Sequence, residues 1–107
     1  MKADIKQRWM DALRSGKYKQ GRGYLHKDDS FCCLGVLCDV VATEIDLPVS
    51  QAADGEYRYG KEKNTSMLPP EVVAYAGLEH ANPILLSYYN DHGTSFENIA
   101  KIIEAEL

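Results

Sequence analysis

Residues 13–39 read LRSGKYKQGRGYLHKDDSFCCLGVLCD, and how this stretch divides decides the fold. Its first half is basic and punctuated by glycine; its second half is apolar and holds all three cysteines. Ser15-Gly16 is a helix stop, because glycine accepts the left-handed conformation that closes a helix. Lys17–Lys27 then has the pattern of a hairpin. Tyr18 and Gln20 lead in, Gly21-Arg22-Gly23 turns, and Tyr24-Leu25-His26 leads out. Asp28-Asp29-Ser30 offers side-chain oxygens as caps for a helix running to about Ile45. Leu34, Leu37, Cys38, Val41 and Ile45 share one face of that helix. Cys32, Gly35, Val36, Asp39 and Thr43 lie on the other side, which is not strongly polar, so both sides are expected to be covered. A glycine inside a helix costs about 1 kcal/mol against alanine, so Gly35 needs a packing reason, and a closely approaching backbone is the simplest.

Outward from this stretch, the spacing of Ile5, Trp9 and Leu13 predicts a helix over residues 2–13. Downstream, residues 46–66 are irregular, broken by Pro48 and Asp54-Gly55, with Tyr57-Arg58-Tyr59 alternating like a short strand. Pro69-Pro70 starts a short helix carrying Val72, Val73 and Tyr75, which Gly77 closes. Ile84–Tyr89 is apolar, and its period fits strand and helix alike. Asn90-Asp91-His92-Gly93 reads as a turn, and Thr94 with Glu97 forms a capping box. Phe96, Ile99, Ala100, Ile103 and Leu107 then define an amphipathic C-terminal helix. The expected architecture is a single α+β domain over residues 1–107. Three to four helices pack on a small antiparallel sheet built from the Lys17–Lys27 hairpin and the Tyr57 region.

The net charge of −4 conceals an asymmetry. Residues 1–27 carry eight basic against two acidic side chains, a net +6, while residues 28–107 carry a net −10. Such a division gives either a mixed solvated surface or a localised anion-binding face on an acidic body. A chain this short buries a modest core, for which dimerisation is one remedy. Three cysteines cannot all pair, and Met1–Leu13 has no apolar signal-peptide core, so free thiols in a reducing cytoplasm are expected. The longest apolar run, Phe31–Cys38, is too short to span a bilayer.

Each candidate chemistry has a plainer competitor. Adjacent Cys32 and Cys33 point about 100° apart on a helix and cannot easily share a metal with Cys38 and His26, so buried thiols are expected rather than zinc. A catalytic cysteine would need an orienting acid, and none is identifiable. Gly16–Gly23 superficially resembles a phosphate loop, but Arg22-Gly23 replaces its Lys-Ser/Thr pair and a helix precedes it. The plain ingredients remain. Lys17, Lys19 and Arg22, with Arg14 just before them, supply positive charge, and Tyr24 supplies a stacking face; together they suit an anionic, nucleotide-like ligand. Alternation places Tyr18 on the opposite face from Lys17 and Lys19, towards the core. The last two helical segments could imitate a helix-turn-helix, but the second carries Glu97, Glu104 and Glu106 against Lys101, which argues against nucleic acid. Asn90-Asp91-His92 is read as turn chemistry rather than an acid–base cluster.

The tryptophan helix ending ALRSGKYKQGRG, then FCCLGVLCD, LPPEVVAYAGL and NDHGTSFENIAKIIE, resembles a family of small tailed-phage and prophage proteins. The four segments run in order across nearly the whole chain. The resemblance implies a phage-encoded protein acting in the bacterial cytoplasm, on a host protein or a defence nucleotide. It brings no catalytic residue or cofactor. The leading expectation is therefore a non-enzymatic binding protein that captures an anionic ligand through Arg14, Lys17, Lys19, Arg22 and Tyr24. The alternatives are a protein–protein module, a homodimer or host-protein inhibitor with an apolar patch near Gly35 and Val36, and a DNA-binding regulator.

Overall fold

A computed structural model describes residues 1–107. The apolar stripe at the N-terminus forms α1 (Ala3–Arg14), burying Ile5, Trp9, Met10 and Leu13. It lies against α5 (Phe96–Glu106), whose Phe96, Ile99, Ala100 and Ile103 are buried in turn, and against α2 (Cys33–Val41). Trp9 has no exposed surface, and its indole N–H donates to the Cys33 carbonyl at 2.9 Å, so the largest core side chain leaves no polar atom stranded.

Helix α2 is covered on every side from Cys33 to Cys38, as the lack of a polar face implies. The reason for Gly35 is a close approach by backbone. A Cβ there would stand 1.6 Å from the Leu25 carbonyl oxygen, which itself accepts from the Cys32 N–H. Two expectations for this helix fail. It begins at Cys33, not at Asp28–Ser30, and it ends at Val41 short of Ile45.

The aspartates serve a turn instead. Asp28 has φ +54, and the two-residue link joins β2 (His26–Lys27) to β3 (Ser30–Phe31) as an antiparallel pair. The strand β1 (Lys19–Gln20) runs parallel to β3, so the order is β1-β3-β2. Lys17–Lys27 is thus not a hairpin: its two ends are separated by an intervening strand. A second sheet pairs β4 (Val49–Gln51) with β5 (Tyr57–Tyr59), antiparallel. A single bridge, Lys27 to Glu56, links the two sheets, so the Tyr57 region joins the first sheet only at its margin.

Helix α3 (Pro70–Ala76) starts at its proline and ends on Gly77 at φ +71, as its signals dictate. Glu44, after α2, takes an ion pair from Arg8 of α1 and a hydrogen bond from the Tyr75 hydroxyl of α3, joining three segments at the surface. The apolar run after Pro83 resolves as one turn of 3-10 helix (Pro83–Leu85) leading into α4 (Leu86–Asp91), so Asn90 and Asp91 are helical rather than turn residues. Helix α5 is capped by Ser95, whose Oγ accepts from the Asn98 N–H at 3.2 Å, one residue later than the Thr94–Glu97 capping box expected from the sequence. The fold class is α+β, with five α-helices rather than three or four.

Candidate functional site

The basic segment is held in place by amides. Asn90 is fully buried and uses both ends of its side chain. Its Oδ1 accepts from Gln20 Nε2 at 3.0 Å and from the Cys33 N–H at 3.2 Å, which caps α2 from 57 residues away. Its Nδ2 donates to the Gly21 carbonyl at 2.8 Å and to Asp91 Oδ1 at 3.2 Å. Gln20 continues the network, donating to the Thr94 carbonyl at 2.8 Å and accepting from the Phe96 N–H at 3.2 Å. Asp91 Oδ1 also accepts from the Gly23 N–H at 3.0 Å. The backbone from Gln20 to Gly23 is therefore latched onto the α4–α5 junction.

This latch presents the expected ligand residues outward. Arg14, Lys17, Lys19 and Arg22 are all exposed. Lys19 pairs with Asp29 at 3.6 Å. Tyr24 is half-buried with Lys27 Nζ 4.8 Å over its ring, so a cation of the chain itself occupies that stacking position. None of these five residues lines either of the two hollows in the surface. Tyr18 belongs to the interior face: it meets Phe31 edge-on at 5.0 Å and its hydroxyl donates to Asp39 at 2.5 Å. Burial, and then that hydrogen bond, push its phenol well above the ordinary tyrosine range.

The thiols are placed for packing. Cys32, Cys33 and Cys38 are buried and unpaired. Burial pushes the Cys32 thiol up to about 11 and raises those of Cys33 and Cys38 well above the ordinary cysteine range, which opposes the thiolate that nucleophilic or metal chemistry requires. No three His, Cys, Asp or Glu side chains gather at metal-binding distance. His26 lies between Phe31 and Tyr57, its ring stacked 3.7 Å from each, with Nδ1 3.1 Å from the Tyr59 hydroxyl. Burial holds its imidazolium below the usual range, against the pull of Asp28, Asp39 and Asp29.

The apolar patch expected near Gly35 and Val36 does not exist, because the Leu25 backbone covers that face and both residues are buried. Exposed apolar surface lies instead at the start of α4. Leu85 is 65% exposed, Tyr88 56% and Tyr89 40%, while Leu86 between them is fully buried. Ile84 and Leu85 sit at φ +46 and +55, a region that β-branched and bulky residues rarely enter. Asn82 secures this corner: its Oδ1 accepts from the Ser87 N–H at 3.0 Å and its Nδ2 donates to Ser87 Oγ at 2.7 Å. Tyr88 stacks on His92 at 4.0 Å and meets Tyr89 edge-on at 5.8 Å.

Two open hollows adjoin at this corner. One, of about 340 Å³, runs between Leu78, Glu79 and Pro83 on one side and Glu106 on the other. The second, of about 460 Å³, lies among Leu85, Tyr89 and Ile102. Both are lined by Ile84 and Glu106, so they lie side by side across these two residues and together make up the groove of the α4 corner. The sequence signal for it was the apolar run Ile84–Tyr89, whose outward half could be recognised only once the run was known to be helical and Leu86 known to point inward.

No helix is long and apolar enough to cross a membrane. No curated protein and no solved structure matches the chain. A family model matches it from end to end, over residues 1–107, and by that match the chain belongs to the family described as Domain of unknown function (DUF8296).

Proposed function

We propose that the chain is a docking module, phage-encoded, that binds a protein of the bacterial host through the groove at the α4 corner and performs no chemistry of its own. The observation that carries this reading is the exposure of Leu85 and Tyr89 on the wall of a preformed groove, with exposed Tyr88 edge-on against Tyr89. Scattered exposed apolar residues are ordinary, but a cluster with two tyrosines and a leucine beside a concavity has the composition of an interface centre. The backbone at Ile84 and Leu85 adds support. Conformational strain of about 1–3 kcal/mol per residue persists where the surroundings fix it and tends to collect at binding sites. The four-segment resemblance to small tailed-phage proteins supports the host setting. The basic segment offers no comparable enclosure, and the stacking position over Tyr24 is taken by Lys27.

A photo-crosslinking residue placed at Leu85, and separately at Lys17, in untagged protein expressed in a bacterial host tests this. A discrete protein adduct from position 85, competed by excess native chain but not by a Leu85→Asn/Tyr89→Ser variant, supports the proposal. No adduct, or the same adducts from both positions, overturns it.

A further inference from the structure

Resting on that reading, we infer that the occupant of the groove is a short cationic protein segment. It carries two apolar anchors, with a lysine or arginine between them that pairs with Glu106. The first argument is charge. The ionisable side chains lining the two hollows are Glu79, His80 and Glu106; Met1 and Leu107 add an amine and a carboxylate that offset each other, and neither lysine nor arginine is among the lining residues. Glu106 lines both hollows and is exposed, so it stands where a cation between two anchors would arrive.

The second argument weighs against the competing occupant, another copy of this chain. In a two-fold contact each groove would face itself, setting Glu79 and Glu106 against like charges. In a head-to-tail contact the basic residues 1–27 of one copy would have to enter the groove of the next, which builds a ring or an open filament rather than a discrete pair. The third argument is size. Hollows of about 340 and 460 Å³ hold side chains, and a stable interface between whole domains engages about 20–30 residues a side. A helical or extended segment seated by two anchors fits this groove better than a flat protein face.

The test uses two fluorescein-labelled 12-residue peptides. Each has leucine at positions 4 and 8; one has lysine at the intervening and flanking polar positions, the other glutamate. Anisotropy is read with native protein, with Glu79→Lys/Glu106→Lys and with Leu85→Asn/Tyr89→Ser. All four substituted residues are exposed and outside the hydrophobic core, and Asn tolerates the positive φ of position 85, so the variants keep the fold as read by circular dichroism. The expected result is that the lysine peptide binds at least about tenfold more tightly, that added salt narrows the difference, and that the charge-reversed variant inverts the preference. Equal binding of both peptides, lost in Leu85→Asn/Tyr89→Ser, overturns the cationic occupant and leaves the docking reading standing. Binding of neither peptide while the adduct from position 85 persists does the same. Binding of neither, with no adduct, overturns both.

Discussion

Replacing Asn90 with alanine tests whether the amide latch holds the fold together. The substitution removes the acceptor for the Cys33 N–H and Gln20 and the donor to the Gly21 carbonyl. Cys33 is fully buried, so its N–H is left with neither protein nor water; a buried orphan of this kind costs about 1–3 kcal/mol. Gly21 is only half-buried, so its carbonyl recovers part of its hydration and falls at the lower end of that range. Gln20 keeps its two bonds to Thr94 and Phe96. The expected loss is about 3 kcal/mol, against a total of roughly 5–15 kcal/mol for a chain of this size. Trp9 is the single tryptophan, is fully buried and donates to Cys33, so its fluorescence during urea denaturation reports the affected contact. Asn90→Asp gives an internal check on sign. Aspartate restores the acceptor, but its ionised form cannot donate to Gly21 and sits beside Asp91. Its folded pKa is therefore raised, and the variant gains stability on acidification towards the ordinary aspartate range and loses it as pH rises. A loss under about 1 kcal/mol in Asn90→Ala, or no recovery of Asn90→Asp with acid, would show that water already satisfies these groups and refute the latch.

Gly35→Ala brings a methyl carbon to 1.6 Å from the Leu25 carbonyl oxygen and 2.5 Å from its carbon, both backbone, so soluble yield and far-ultraviolet circular dichroism are expected to collapse; a loss under about 1 kcal/mol would mean α2 can shift freely on Leu25. The three thiols are expected to resist a disulfide reagent at pH 8 in the native state and to react together in urea, with Cys32 pushed up to about 11; one fast native thiol contradicts this packing. For His26, burial lowers the folded pKa below the unfolded value of about 6.5, so on acidification the unfolded chain binds a proton first. Its contribution to stability is complete above that value and is lost as pH falls through the folded pKa; urea midpoints between pH 7.5 and 5 should therefore fall less in His26→Phe than in the native chain, and equal falls would exclude it.

The features that were legible in the sequence are those governed by neighbours three or four residues away. The stripes of α1 and α5 gave their positions, the prolines and Gly77 bounded α3, and Gly35 implied a backbone against its face. What could not be read depends on distant partners. Strands of two residues carry no period, so nothing local distinguishes a Lys17–Lys27 hairpin from the order β1-β3-β2. The start of α2 was misplaced because its cap is Asn90 rather than an adjacent aspartate. Thr94 and Ser95 are both competent caps; Ser95 takes the role while the Thr94 carbonyl accepts from Gln20. The exposure of Arg14, Lys17, Lys19 and Arg22 followed from composition, whereas the groove is assembled from the 78–85 segment, α4 and α5, and no short window contains it.

The latch and the groove are two sides of one short element. Helix α4 has six residues, too few to be stable by propensity, and it is entered through two residues at positive φ. Its inward side, Leu86 and Asn90, therefore has to supply what the helix lacks, and the four hydrogen bonds of Asn90 do so. Its outward side, Leu85, Tyr88 and Tyr89, is then free to remain exposed in a fixed geometry, which would lower the ordering cost of receiving the partner proposed above. On this view the buried amide is what makes an exposed apolar rim tolerable, and loosening Asn90 would weaken docking at the groove without touching any residue that lines it.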